Sequence, residues 1–399
     1  MRLDLCLILI AVVTTLLYGL LVVRDRVPTA GLIVLAGLCL VPWLLTGRLS
    51  YATPLDYPII ALLALLPLSL SLTFDQSLTV PKIQALVLCV VFFYVIVNYL
   101  RHFSRLKLAI LGIVLLAFIL PTLAVLATNW AGSDFSLPVR AMNRLTALLP
   151  FLSRFSAGGG IHVNTTGGTL AFFVPLLLSL LWDNHAFSGA FLAKRRKATL
   201  WAVLYKLLIC LALVYTLAIL VFTSSRGSYL GVLMGIFAVL VWKDKRFLWL
   251  IPIGVLVFAI ALFVFANGNL ADFIALLDTS AEGDTVPVRL QYWQRTLFMI
   301  QDFSITGSGI GTYGRVFDEL YTFNTFSVLE YPSFYAHNMY LAVAAGMGIP
   351  ALILYLSLFA AFATMIFTTV KNAPPIVRVT LIGLSSGMLA HMVYGLWDN

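Results

Sequence analysis

Eleven apolar runs, each about as long as a bilayer crossing, limit what this chain can fold into more than any other feature. They fall near residues 4–23, 29–46, 57–73, 83–100, 107–127, 167–182, 201–222, 228–242, 247–266, 349–370 and 376–396. A helix needs roughly 17–25 mostly apolar residues to cross the hydrocarbon core. With 61% hydrophobic and only 10% charged residues, the chain has too little polar surface for an aqueous globular fold. The expected fold is therefore an all-α polytopic membrane protein with about eleven transmembrane helices. The first run lacks a small-residue cleavage site and reads as a retained helix. Cys6, Cys39, Cys89 and Cys210 all lie within apolar runs and show no CxxC spacing, so they read as core or lipid-facing residues.

The basic residues set an orientation. With the N-terminus in the cytoplasm, the inner loops and Arg2 carry fourteen: Arg2, Arg48, Arg101, Arg105, Lys107, Lys194, Arg195, Arg196, Lys197, Lys243, Lys245, Arg246, Lys371 and Arg378. The short outer connections carry four: Arg24, Arg26, Lys82 and Arg226. That bias satisfies the positive-inside rule. It also accounts for the formal charge of +9 without nucleic acid, which is not an expected partner. An odd count leaves Trp397-Asp398-Asn399 outside without a basic anchor, so a twelfth span or more is expected in the full chain.

This reading divides the chain into residues 1–127 (helices 1–5), 128–166 (an outer loop), 167–267 (helices 6–9), 268–348 (a large outer loop) and 349–399 (helices 10–11). The loop at 128–166 contains an amphipathic stretch, Leu137 to Phe155, that suits a helix lying in the membrane interface. It ends in Gly158-Gly159-Gly160, expected to be a flexible lead into the next span. The loop after residue 268 is too long for a plain connector, and long loops are usually functional or disordered.

Several polar residues need explaining. Arg226 lies in the tight turn Thr223-Ser224-Ser225-Arg226-Gly227-Ser228, just before a helix N-terminus. Either it receives a phosphate together with the helix amides or it snorkels to anchor a helix end. Arg289 and Trp293 are four apart and share a face if helical, while Arg295 points elsewhere. They are either a cation with an aromatic partner for a pyrophosphate or sugar, or a surface-stabilising pair. Asp302 leads into Gly307-Ser308-Gly309-Ile310-Gly311, followed by Tyr313 and Arg315. No strand precedes these glycines, so a dinucleotide fingerprint is rejected in favour of a turn with close backbone approach. His337 and Asn338 stand at the mouth of a short apolar stretch that turns into the next span near Ile349. A histidine there is suited to accept a proton near neutral pH, or it is structural.

The outer side has no Asp-x-Asp pair, no carboxylate cluster and no His/Cys set with ligand spacing, so neither a metal nor another cofactor is expected. Arginines with one histidine suit an activated substrate that leaves as an anion. A transporter or lipid flippase, the rival from another class, would place charged groups at mid-membrane. The candidates here gather at one outer edge.

Together, Ser225-Arg226-Gly227 after a span, Arg289 with Trp293 in a long outer loop, Asp302 leading to Thr306-Gly307-Ser308-Gly309-Ile310-Gly311-Thr312-Tyr313, and Ala336-His337-Asn338 resemble the O-antigen ligase and Wzy polymerase superfamily. Ile161-His162-Val163-Asn164 followed by Gly168-Thr169-Leu170-Ala171 is similar to a recurrent segment of these proteins. The resemblance runs from Ile161 onward. It implies a bacterial inner-membrane glycosyltransferase with its site on the periplasmic face and no cofactor. The reaction implied is inverting, metal-independent transfer of a glycan from an undecaprenyl-pyrophosphate-linked donor to a hydroxyl. That hydroxyl belongs to a lipid for a ligase, to another repeat unit for a polymerase, or to a protein for an O-oligosaccharyltransferase. On these positions the resemblance makes His337 the residue that deprotonates or orients the acceptor, and Arg226 and Arg289 the pyrophosphate-binding cations. Trp293, Arg295, Asp302, Tyr313, Arg315 and Asn338 are subsidiary substrate-binding candidates.

Overall fold

The computed structural model describes residues 2–24, 27–100, 103–128, 130, 137–147, 161–182, 196–266, 268–269, 286–321 and 335–398. Among the described residues there are fourteen α-helices: α1 (Arg2–Arg24), α2 (Thr29–Thr46), α3 (Asp56–Ser71), α4 (Gln76–Tyr99), α5 (Phe103–Ala127), α6 (Leu137–Ala147), α7 (Val163–Trp182), α8 (Arg196–Thr223), α9 (Arg226–Lys243), α10 (Leu250–Ala266), α11 (Val286–Asp302), α12 (Tyr313–Leu320), α13 (Met339–Thr369) and α14 (Pro375–Tyr394). A 3-10 turn, Lys245–Trp249, leads into α10. The described residues form no strand; Thr128 and Ile161 make one isolated bridge. Nine helical segments among them are long and apolar enough to cross a membrane, and Leu3–Gly19 and Asp56–Ser71 are shorter apolar helices. The protein is an all-α, multi-pass membrane protein.

Each apolar run is helical, but some helices start earlier than hydropathy alone indicates. The run expected from 83 begins at Gln76, because Asp75 caps the helix by accepting from the Ser77 amide at 2.8 Å. Caps of this kind satisfy first-turn amides and so extend a helix into polar sequence. The run expected from 167 begins at Val163; the glycines 158–160 lie outside the described residues. In α13 the helix starts at Met339 and breaks at Gly348 (φ 83, ψ 169), with Pro350 just beyond. The final run ends its helix at Tyr394, and residues 395–397 form a turn.

The chain divides into two compact units. The first takes residues 1–111, 294–336 and 340–365. In it α1, α2 and α4 pack around Leu7, Ile10, Leu35 and Leu88, and Leu62 and Leu66 of α3 meet Met347 and Ala351. The glycine run belongs here. Gly307, Gly309 and Gly311 all have positive φ, and a Cβ on Gly309 would lie 2.2 Å from Thr73 Oγ1. The Ser308 and Gly309 amides donate to Ala345 O at 2.9 Å and Gly346 O at 3.0 Å. The run is therefore a turn held by close backbone approach, which only glycine permits.

The second unit takes residues 112–293, 337–339 and 366–399. Its centre is α7, packed by α8, α9 and α14. Small residues bring these helices together, as van der Waals packing inside a membrane requires. A Cβ on Gly231 of α9 would stand 2.4 Å from Ala390 O of α14. Of the amphipathic stretch, Leu137–Ala147 is the described helix; Val139 and Met142 are buried against Trp130, Leu170 and Ile219. Residues 148–155 lie outside the described residues.

Gly231→Ala is expected to lower the thermal midpoint of the purified protein, with overpacking costing about 1–3 kcal/mol. Gly254→Ala, where nothing lies within 4 Å, is the matched control. Equal midpoints for the two variants would refute the close-packing account.

Candidate active site

The second unit gathers most of the sequence-selected residues around the turn that follows α14. The turn stays tightly wound, with the Trp397 and Asp398 amides donating back to Tyr394 O at 2.9 and 3.1 Å. The turn's own amides thus serve the last helix carbonyls, and the turn's carbonyls are taken by other segments. The Met339 amide donates to Gly395 O at 2.8 Å. Asn338 Nδ2 donates to Leu396 O at 3.0 Å. The Arg289 guanidinium donates to Trp397 O. His337 Nδ1 lies 3.4 Å from Asp398 Oδ1, on a carboxylate whose side chain is only 8% exposed. Four consecutive residues thus hold four groups from two other segments.

Aromatic rings complete the arrangement. Trp293 packs against Trp397 with centroids 6.1 Å apart at 48°, and Tyr292 stacks on His337 at 6.1 Å and 23°. Arg289 and Trp293 share a face of α11, as their spacing requires, and that face meets Trp397 through its carbonyl and its ring.

The Arg226 turn adjoins the same place. Ser225 is the N-cap of α9 but its side chain caps no amide; instead Ser228 Oγ donates to Ser225 Oγ at 2.8 Å. The first turn of α9 thus keeps the positive end of its dipole uncapped by a side chain. Arg226 is exposed, and a Cβ on its neighbour Gly227 would fall 3.1 Å from Trp397 Cβ and 3.6 Å from Tyr394 Cδ2. Gly167 of α7 underlies the turn, within 3 Å of Thr223, Ser225 and Ser228 by the same construction. Among the described residues the non-glycine positions of positive φ are Ser224 (51°) and His337 (47°). Each costs on the order of 1–3 kcal/mol, and both belong to this neighbourhood.

Arg295, Asp302, Tyr313 and Arg315 belong to the first unit. Tyr313 is buried, with its hydroxyl 2.8 Å from Thr296 Oγ1. Asp302 accepts from Tyr321 Oη at 2.5 Å, and burial together with that carboxylate holds the phenol well above its ordinary value. Arg315 pairs with Asp75 and, at 2.9 Å, with Glu319. The Asp75 carboxyl is held below the ordinary carboxylate range, first by Ser77 and then by Arg315.

Trp397 and Asp398 escaped the sequence reading, as did Tyr292. The available signal was a carboxylate beside a tryptophan just past the last apolar run. Without contacts it reads only as an end lacking a basic anchor.

Comparison with known families finds a match over one region. Residues 211–356 match the family model Wzy_C, O-antigen ligase. That region is similar to the O-antigen ligase family. The match supports the O-antigen ligase superfamily and a membrane glycosyltransferase-like enzyme. No curated protein matches the chain. The matched residues include Arg226, Arg289, Trp293 and His337; the turn at 395–398 lies outside them.

Because the folded Asp75 is depressed, its stabilisation is complete above the ordinary value of about 3.9 and is lost as pH falls through the lower folded value. Asp75→Asn is expected to lower the thermal midpoint at pH 7, and the gap to wild type to close below about pH 4. A gap that stays constant down to pH 3 would contradict this.

Proposed function

We propose that the protein transfers a glycan from an undecaprenyl-pyrophosphate-linked donor to an acceptor hydroxyl on the periplasmic face, with inversion and without a metal. The observation that carries this reading is the convergence of Arg289, His337 and the Arg226 turn on residues 395–398. The family match to residues 211–356 supports it.

Two needs define such a reaction. The pyrophosphate gains charge as its bond to the anomeric carbon breaks, and fixed cations in a partly dry site stabilise that charge. The acceptor hydroxyl needs a base within hydrogen-bond reach. In this reading Arg226, Arg289 and the first-turn amides of α9 bind the pyrophosphate. His337 presents Nδ1 to Asp398, which leaves Nε2 for the acceptor. The acceptor proton passes to Nε2 as its oxygen bonds to the anomeric carbon, and the electron pair of the breaking carbon–oxygen bond leaves on the pyrophosphate. Asp398 is a positioning residue, its carboxylate 3.4 Å from His337 Nδ1. Trp293 and Trp397 offer apolar faces for the sugar next to the pyrophosphate.

The test is transfer by purified protein from an undecaprenyl-pyrophosphate glycan to separate lipid, glycan and protein acceptors, with chelator present throughout. His337→Ala is expected to lower kcat by about 10²–10⁴-fold; near-normal turnover would remove it as the base. Arg289→Lys is expected to act mainly on donor use, because an ammonium does not replace a planar fork. Asp398→Asn is expected to cut kcat while leaving donor KM close to wild type. A rise in KM alone would make Asp398 a binding residue. Loss of transfer on chelation would defeat the metal-free mechanism.

A further inference from the structure

Within the first unit, an open recess is bordered by Asp4, Arg48, Tyr51, Asn98 and Arg105. It forms where α1 begins, α2 ends, α4 ends and α5 begins. Alternating crossings put all four helix ends on one membrane side, the side that the basic loops assign to the cytoplasm. It is separate from the residues placed in the transfer reaction.

The walls are held in place. Arg105 Nη2 lies 2.7 Å from Asp4 Oδ1, its Nη1 donates to Tyr99 O at 3.0 Å, and its guanidinium sits 4.9 Å from the Tyr99 ring centroid. Arg48 lies 6.0 Å from the Tyr51 ring centroid and pairs with no carboxylate among the described residues. The loop that carries Arg48 is tied down on both sides. Asn98 Nδ2 donates to Ser50 Oγ at 3.1 Å and Tyr94 O at 2.7 Å, and Asp56 accepts from the Thr53 amide at 2.9 Å and its hydroxyl at 2.6 Å.

Two guanidiniums against one carboxylate give the recess a net charge of +1. Forked donors in a partly enclosed basic site favour a phosphate oxygen. Large apolar side chains stand exposed beside it on α1 and α2, including Leu5, Ile8, Leu44 and Leu45. A phosphate that also carries acyl chains fits both surfaces, and basic pockets between helices on the cytoplasmic side suit anionic headgroups. We propose that this recess binds the phosphate headgroup of an anionic phospholipid, with Arg48 and Arg105 on the phosphate and the acyl chains along α1 and α2.

Native mass spectrometry of the full-length protein tests this, with phosphatidylglycerol, phosphatidylethanolamine, phosphatidylcholine and inorganic phosphate titrated separately. Phosphatidylglycerol is expected to be retained over both zwitterionic lipids. Arg48→Gln is expected to reduce its retention roughly tenfold, as for loss of a charged hydrogen-bond partner. Asp4→Asn is expected to increase it. Arg246→Gln, whose side chain is 92% exposed in another basic loop, is expected to leave it unchanged. Arg48 is exposed, so its variant folds even if Arg105→Gln does not. Equal retention of all three lipids, unchanged retention in Arg48→Gln, or an equal loss in Arg246→Gln overturns the site. Inorganic phosphate binding as tightly as phosphatidylglycerol overturns the lipid assignment.

Discussion

The backbone carbonyls of the turn just past the C-terminus of α14 are what the candidate site depends on. As α14 ends, Gly395, Leu396 and Trp397 present oxygens that water or another segment must fill. The negative end of the helix dipole makes that place attractive to a cation. Arg289 takes one of the oxygens, and the Asn338 side chain and Met339 amide take the others. The same bonds thus fix an arginine and the two residues that follow His337. Asp398 adds a buried carboxylate at the next position. A carboxylate in that setting is costly without a positive or hydrogen-bonding partner, and His337 Nδ1 lies 3.4 Å from it.

Strain gains meaning in this setting. His337 has φ 47, and Ser224, two residues before Arg226, has φ 51. Neither residue is a glycine, so the surrounding contacts must over-determine both conformations. For His337 they include Tyr292 stacked on one side, Asp398 at Nδ1 and two bonds from the following residues into the turn. Such a residue has little freedom to move during a reaction, which suits a base that must meet one oxygen in one direction.

What was legible in the sequence follows from the range of the interactions involved. Spans are readable because hydropathy is local, and every apolar run is a helix. The shared face of Arg289 and Trp293 is readable for the same reason, since four residues make one helical turn. The glycine run is readable as a turn because φ is set residue by residue. The early start of α4 was lost because Asp75 and Ser77 cap a helix in sequence that hydropathy scores as polar. The hub at 395–398 was lost for a stronger reason. Arg289 and Trp397 are 108 positions apart, and Trp397 is contacted largely through a carbonyl that every residue possesses.

Three of the four acceptors in the turn, or their equivalents, belong to the backbone and one to a side chain. Substitution at Gly395 or Leu396 changes packing but keeps the carbonyl, so those bonds survive wherever the turn does. Information specific to the side chain is concentrated in the Trp397 ring and the Asp398 carboxylate. The matched region, which ends at residue 356, therefore contains the candidate cations and base but not Trp397 and Asp398. The turn after α14 meets them largely through its backbone, so its contribution is only partly visible as residue identity.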